Sequence, residues 1–266
     1  MEANSSFFQP QLKIFNTAMS VGIIQDFVAV WQKVKQLNKI PTTIIMLIDP
    51  WALNVHNNSD AWKSIRHLYQ SFLEKDTYSN EENRVQTKNA SLFAIKKKDI
   101  IPQSQMLSEM AGRRGDGGYI YPQSYLKPLS LETIQKKAAA YTQGCVFSMC
   151  PWEFDHQIAN VLTQLFDEFH ENTISLFVIV PPYEPSVYDF LVNEKEYSLA
   201  LQEVQDFLEN KLPQTTKLNF KLCNYLNPEI PKCNTLEYID GMHYRKSCLR
   251  KQFRACLGIE SGKILQ

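Results

Sequence analysis

No apolar run in this chain approaches the roughly 20 residues that a helix needs to cross a bilayer, and no stretch near its start reads as a signal peptide. Charge of one sign is not in surplus either. Twenty-eight Lys and Arg balance 28 Asp and Glu, so no global field favours nucleic acid or an anionic membrane. Cysteine is sparse, with six in 266 residues. Neither Cys145-x4-Cys150 nor Cys248-x7-Cys256 has the close-paired spacing of a zinc knuckle or a redox site. Free thiols are therefore expected, with disulfides, such as Cys223–Cys233 across a loop, as the alternative. Internal repeats and low-complexity stretches are also missing. These absences predict a soluble chain, cytoplasmic as it stands, with no metal, cofactor, nucleic-acid partner or membrane span.

What is present is ordinary globular composition, 44% apolar and 21% charged, in a length that one large core can serve. Lys13–Met19 reads as a short strand and Gly22 as the turn after it. Ile24, Phe27, Val28, Trp31, Val34 and Leu37 recur at helical spacing, which predicts a helix over 23–37 that Pro41 bounds. Thr43–Ile48 is a continuous apolar run ending at Asp49-Pro50-Trp51, the pattern of a parallel strand buried on both faces. Strand, helix and strand with short connections form a βαβ unit, whose crossover should be right-handed. Further helices are expected over 61–73, 131–142, 154–170 and 197–212, and further strands over 174–180 and 219–222. Pro181-Pro182-Tyr183-Glu184-Pro185 should stop the strand before it in an extended turn. The segment 75–89 is polar and loop-like, Lys96-Lys97-Lys98 reads as a solvated surface, and residues of about 55–150 read as an insertion into one α/β domain.

Two segments carry candidate chemistry. Arg113-Arg114-Gly115-Asp116-Gly117-Gly118-Tyr119 reads first as a tight turn. Its sharper reading is a loop at the rim of a site, where Arg113 and Arg114 bind an anionic group. Near the end of the chain, Asp240 and His243 stand three residues apart, just before Leu249, Phe253 and Leu257 at helical spacing. Such a pair can hold one imidazole nitrogen against a carboxylate and leave the other free, as the orienter and base of a nucleophilic triad do. The bland reading is a helix cap beside a surface histidine. His56, His67, His156 and His170 lack metal-ligand spacing and read as structural, with Asp155-His156 as a helix start.

An Asp-x-x-His after alternating strands and helices resembles the last motif block of the SGNH/GDSL hydrolases, closest to a bacterial branch related to D-alanyl-transfer and alginate O-acetylation proteins. The Asn16-x5-Gly22 turn, Asp49-Pro-Trp and Pro-Pro-Tyr-x-Pro support it. The resemblance implies a three-layer α/β/α sandwich on a flavodoxin-like, mostly parallel sheet. It implies His243 as base, Asp240 as orienter, and a carbohydrate or lipid ester as substrate. Gly22 would be an oxyanion donor through its backbone N–H, and Asn54 the nearest candidate for the oxyanion asparagine, since Asp49 stands where the family shows Gly-x-Asn.

The family's nucleophile sits in a Gly-x-Ser turn after a first strand, and the chain has neither before Gly22. Ser5, Ser6 and Ser20 are poor substitutes, because a nucleophile needs a fixed turn at a strand's carboxyl end. The expectation is an SGNH-like protein lacking its first strand, truncated or catalytically impaired. The alternatives are an active serine esterase or O-acyltransferase, periplasmic or membrane-anchored if an upstream segment exists, and a non-catalytic module that binds a glycan, lipid or protein.

Overall fold

The computed structural model of the chain describes residues 15–17, 22–57, 63, 66–74, 112–113, 119–120, 127–146 and 149–258. Its strands are β1 (Thr43–Leu47), β2 (Gly112–Arg113), β3 (Tyr119–Ile120), β4 (Ser175–Val180) and β5 (Lys221–Asn224). The first, fourth and fifth form a parallel sheet in the order β1-β4-β5, with Leu47 opposite Ile179 and Val180 opposite Asn224. The sheet is small, and the class is α/β. Strands β2 and β3 make a separate antiparallel pair, with Arg113 opposite Tyr119; the glycine-rich segment between them, expected as a tight turn, lies outside the described residues.

Eight α-helices surround the sheet among the described residues: α1 (Ile24–Gln36), α2 (Arg66–Leu73), α3 (Leu131–Tyr141), α4 (His156–Glu171), α5 (Pro185–Asn193), α6 (Lys195–Asp206), α7 (Leu212–Thr215) and α8 (Lys246–Leu257). Capping chemistry sets several starts. Asp155 accepts from the Ile158 N–H at 2.9 Å to open α4, and Ser130 accepts from Thr133 N–H at 3.2 Å to open α3. Gly258, at φ 68°, ends α8 in the left-handed conformation that glycine adopts without a Cβ penalty.

Side-chain alternation along the strands splits the core. Met46, Ile48, Leu176, Val178 and Val180 join the large cluster with Val28 and Trp31 of α1 and Leu162, Leu165 and Phe166 of α4. Ile179, Cys223 and Tyr225 turn the other way and pack with Leu249, Phe253 and Leu257 of α8.

Several expectations need correction. Of the strand expected over Lys13–Met19, only 15–17 lie within the described residues; they pair with no strand, and Phe15 is 52% exposed. β1 is not buried on both faces: within it only Met46 is buried, because among the described residues β4 is its one neighbour in the sheet. The last strand begins two residues later than expected, at Lys221. The helix expected over 197–212 starts at Lys195 and passes through a π-helical turn, Phe207–Lys211, before α7. The proline-rich end of β4 hides α5: Pro185 takes its first position, where a missing N–H costs nothing, and the Glu184 carboxylate accepts from Ser186 N–H at 2.8 Å. No helix of the described residues is long and apolar enough to cross a membrane.

The cysteines also depart from expectation. None is free: they pair as Cys145–Cys150, Cys223–Cys256 and Cys233–Cys248, not as Cys223–Cys233. The second bridge joins β5 to α8, and the third joins the start of α8 to the loop before it. For the second and third bridges sequence spacing could not show this, because their partners meet only after α8 docks on the sheet. Titration of the denatured, unreduced protein with a thiol reagent should find no free thiol. Replacing Cys233 and Cys248 together by serine should cost about 2–4 kcal/mol in chemical denaturation; an unchanged midpoint would show that the bridge carries no stability.

Candidate active site

The turn that carries Asp240 and His243 spans the segment between Glu237 and Arg245. Its base is closed twice, by the antiparallel bridge Tyr238–Tyr244 and by Arg245 N–H donating to the Glu237 carbonyl at 2.6 Å. Ile239 N–H adds a bond to the His243 carbonyl at 2.7 Å. Tyr238 is fully buried with Ile134, Cys233 and Cys248, so the Cys233–Cys248 bridge clamps the turn from outside. Glu237, which caps the preceding 3-10 turn Thr235–Glu237 through the Asn234 N–H, pairs with Lys251 of α8 at 2.5 Å.

Glu184 joins this turn to the sheet. It follows β4, is 1% exposed, and donates its backbone N–H to the Gly241 carbonyl at 3.0 Å. Its carboxylate accepts from the Thr235 hydroxyl at 2.8 Å and from both the N–H and the hydroxyl of Ser186. A buried carboxylate is tolerated because its oxygens are matched by donors. The Asp240–His243 turn is thereby held over the carboxyl end of the parallel strands, where α/β sheets place their sites.

Within the turn, Asp240 Oδ1 accepts from the backbone N–H of Met242 at 2.9 Å and of His243 at 2.8 Å. Its two oxygens lie 3.1 and 2.9 Å from His243 Nδ1. A carboxylate fixed by two backbone donors therefore orients the imidazole, and with Nδ1–H donating to it, Nε2 keeps the basic lone pair. The Asp240 side chain is 19% exposed and that of His243 58%, so the imidazole reaches solvent while the carboxylate beside it is largely shielded. Burial acts to raise the Asp240 carboxyl. The hydrogen bonds from the His243 ring and backbone, the imidazole charge and the Met242 N–H outweigh it and hold the group below the usual carboxylate range.

Three further residues bear on this turn: Tyr141, and Asp49 and Tyr183 of the Asp-Pro-Trp and Pro-Pro-Tyr turns. The Tyr141 hydroxyl, from the end of α3, hydrogen-bonds Asp240; burial, then the Asp240 charge and this bond, push the phenol up to about 12. Tyr183, 1% exposed after β4, is raised by burial and then by the charge of Asp49. Asp49 follows β1, whose next residue, Ile48, donates its N–H to the Ile179 carbonyl at 3.0 Å. Asp49 keeps some solvent contact as a residue, yet its carboxyl is enclosed by protein, and burial pushes it up to about 7 against the opposing pull of His243.

The other candidates do not join this turn in the described residues. Asn54 is 2% exposed and engaged elsewhere: Nδ2 donates to the Pro151 carbonyl at 3.0 Å, while Oδ1 accepts from Glu153 N–H at 3.1 Å and His56 N–H at 3.3 Å. It pins the 3-10 turn Pro50–Leu53 to the start of α4 and is a structural amide. Gly22 precedes Ile23 at the entry to α1, with no hydrogen bond to the turn among the described residues. Arg113 lies in β2, while Arg114, Ser5, Ser6 and Ser20 lie outside the described residues. No group of three or more His, Cys, Asp or Glu that could hold a metal occurs among the described residues. A cavity of about 310 Å³ opens elsewhere, lined by Leu208, Glu209, Pro213, Phe220, Leu222 and Asn224, none of them in the Asp240–His243 turn.

The glycine of the turn has a packing cause. A Cβ built on Gly241 would lie 2.6 Å from Tyr141 Cδ2 and 3.0 Å from Val187 Cγ2. Gly241→Ala should cost about 1–3 kcal/mol through overpacking and displace the ring that hydrogen-bonds Asp240; wild-type stability in chemical denaturation would contradict this. Asp49 makes a pH-dependent prediction. An ordinary aspartate, at about 3.9, loses its proton in the unfolded chain while the folded protein still holds it to about 7. Stability therefore falls as pH rises across that window and levels off above it. Asp49→Asn removes the ionisation, so its melting temperature should match wild type near pH 4 and exceed it above pH 7. A difference independent of pH would show that Asp49 ionises normally. In comparisons with known proteins, no family model, no curated protein and no solved structure matches the chain.

Proposed function

We propose that this chain is an SGNH hydrolase-like protein with its base, His243, and orienter, Asp240, in place, and with turnover impaired because the sequence contains no Gly-x-Ser nucleophile turn. The observation that carries the reading is the pair itself: a shielded carboxylate, fixed by two backbone N–H groups, 2.9 Å from the Nδ1 of an exposed imidazole. A helix cap beside a surface histidine does not account for it, because Asp240 binds the imidazole as well as the backbone. The site's place over the carboxyl ends of parallel strands supports the same reading, as does the order β1-β4-β5, which fits three adjacent strands of a flavodoxin-like sheet. Helices packed against both strand faces support a three-layer α/β/α arrangement. The substrate class that goes with this reading is a carbohydrate or lipid ester, with Arg113 and Arg114 as candidate anion contacts.

The three disulfides favour an oxidising compartment over the cytoplasm that the sequence suggested. Hydrolysis of p-nitrophenyl acetate by the purified chain, beside His243→Ala and with a fluorophosphonate probe, tests the function. Equal, slow hydrolysis by both proteins and no labelled serine are expected. Turnover that is lost in His243→Ala, with label on Ser5, Ser6 or Ser20, would replace the impaired reading by an active serine esterase or O-acyltransferase.

A further inference from the structure

The three disulfides are not equivalent. Cys223–Cys256 and Cys233–Cys248 lie in apolar clusters, and none of those four residues is more than 6% exposed. Cys145–Cys150 joins an exposed residue to a half-buried one, in the segment between α3 and α4. Its surroundings are held without the bond. Met149 N–H donates to the Val146 carbonyl at 2.9 Å, and both residues are fully buried. Just after Cys150, the Pro151 carbonyl accepts from Asn54 Nδ2 at 3.0 Å. Tyr197 of α6, itself 7% exposed, donates its hydroxyl to the Gly144 carbonyl at 3.0 Å and accepts from Val146 N–H at 3.3 Å. The same hydroxyl lies 3.4 Å from Cys150 Sγ, and Cys150 N–H lies 3.0 Å from Cys145 Sγ.

We propose that Cys145–Cys150 is a thiol–disulfide exchange site for a low-molecular-weight thiol, with Cys145 as the sulfur attacked and Cys150 as the leaving thiolate. Exchange needs a sulfur that an incoming thiolate can reach, and of the six cysteines only Cys145 is exposed. The incoming thiolate bonds to Cys145 Sγ, the bond between the cysteines breaks, and its electron pair leaves on Cys150 Sγ. The Tyr197 hydroxyl can turn its proton from the Gly144 carbonyl to that new thiolate. A donor at this point stabilises the leaving group, which speeds its departure. A second small thiolate then attacks the sulfur of the first, releasing Cys145 as a thiolate that the Cys150 N–H faces. Two small thiols are thereby oxidised to their disulfide, the bridge takes up two electrons, and the two thiol protons end on Cys145 and Cys150 through solvent. The reverse steps close the bridge again. Because Val146, Met149 and Tyr197 hold the loop without the bond, the dithiol stays arranged for that return. Neither Asp240 nor His243 takes part, so exchange and ester cleavage stand or fall separately.

The test is to hold the native full chain in reduced glutathione at neutral pH, quench with iodoacetamide over time and map the label by mass spectrometry. Label should reach Cys145 and Cys150 roughly tenfold or more faster than the other four cysteines, with the far-UV circular dichroism unchanged. The acid-trapped mixed disulfide should carry glutathione on Cys145. In reduced Tyr197→Phe, the pH midpoint for alkylation of Cys150 should rise by about half a unit or more, with that of Cys145 left in place. Three bridges opening together, glutathione mapped to Cys150, or a Cys150 midpoint indifferent to Tyr197→Phe would overturn the proposal. If Tyr197→Phe does not fold, the order of labelling and the position of the adduct in the wild-type chain decide.

Discussion

The site depends on one buried carboxylate. Glu184 follows the central strand β4, caps the helix after it, and binds Thr235 through its carboxylate and Gly241 through its backbone N–H, in a segment some fifty residues further along the chain. Its burial is affordable only because Thr235 and Ser186 supply donors to its oxygens. Removing those donors would leave an uncompensated charge in the interior, and removing the carboxylate would leave the Thr235 hydroxyl without this partner while the backbone bond to Gly241 stays. The turn that carries His243 is thus tied to the segment that follows β4.

The disulfides brace the same region from the opposite side. Cys223–Cys256 fixes α8 to β5, and Cys233–Cys248 closes a loop that contains Asp240 and His243. Closing that loop limits the conformations the turn could sample if the helix loosened. Hydrogen bonds to Glu184 set where the turn lies, and the bridges limit how far it can move. That division suits an exposed imidazole, whose orientation would otherwise be blurred by solvent.

Asp240 and Asp49 show how one residue type takes two chemical states a short way apart. Both are desolvated, which by itself raises a carboxyl. Asp240 recovers the cost through the Met242 and His243 N–H groups and the ring, and remains an anion. Asp49 gains only the distant pull of His243 and keeps its proton to about 7. The difference lies in the donors within reach of Asp240 and in the fuller enclosure of Asp49.

The local parts of this protein were legible in the sequence because they rest on periodicity and short-range chemistry. The apolar spacing of Ile24 to Val34 and of Ile158 to Phe169 marks α1 and α4 within a residue or two. The run Ile174–Val180 marks β4, and Asp240 and His243 are close enough in sequence to meet without help from the fold. What was hidden depends on long-range contact. Pro185 reads as a strand stop, and only Glu184 as its cap turns it into a helix start. Asn54 looks like an oxyanion amide until Pro151 and Glu153 occupy it. The disulfide partners, the Tyr141–Asp240 hydrogen bond and the proximity of Asp49 to His243 join segments that only the parallel sheet and its docked helices bring together. Sequence alone determined the long amphipathic helices α1 and α4, the strands β1 and β4 and the Asp-x-x-His pair, because neighbours along the chain carry those signals. Tertiary structure decided the bridging, the burial and the charge states, because each is set by what arrives from elsewhere in the chain.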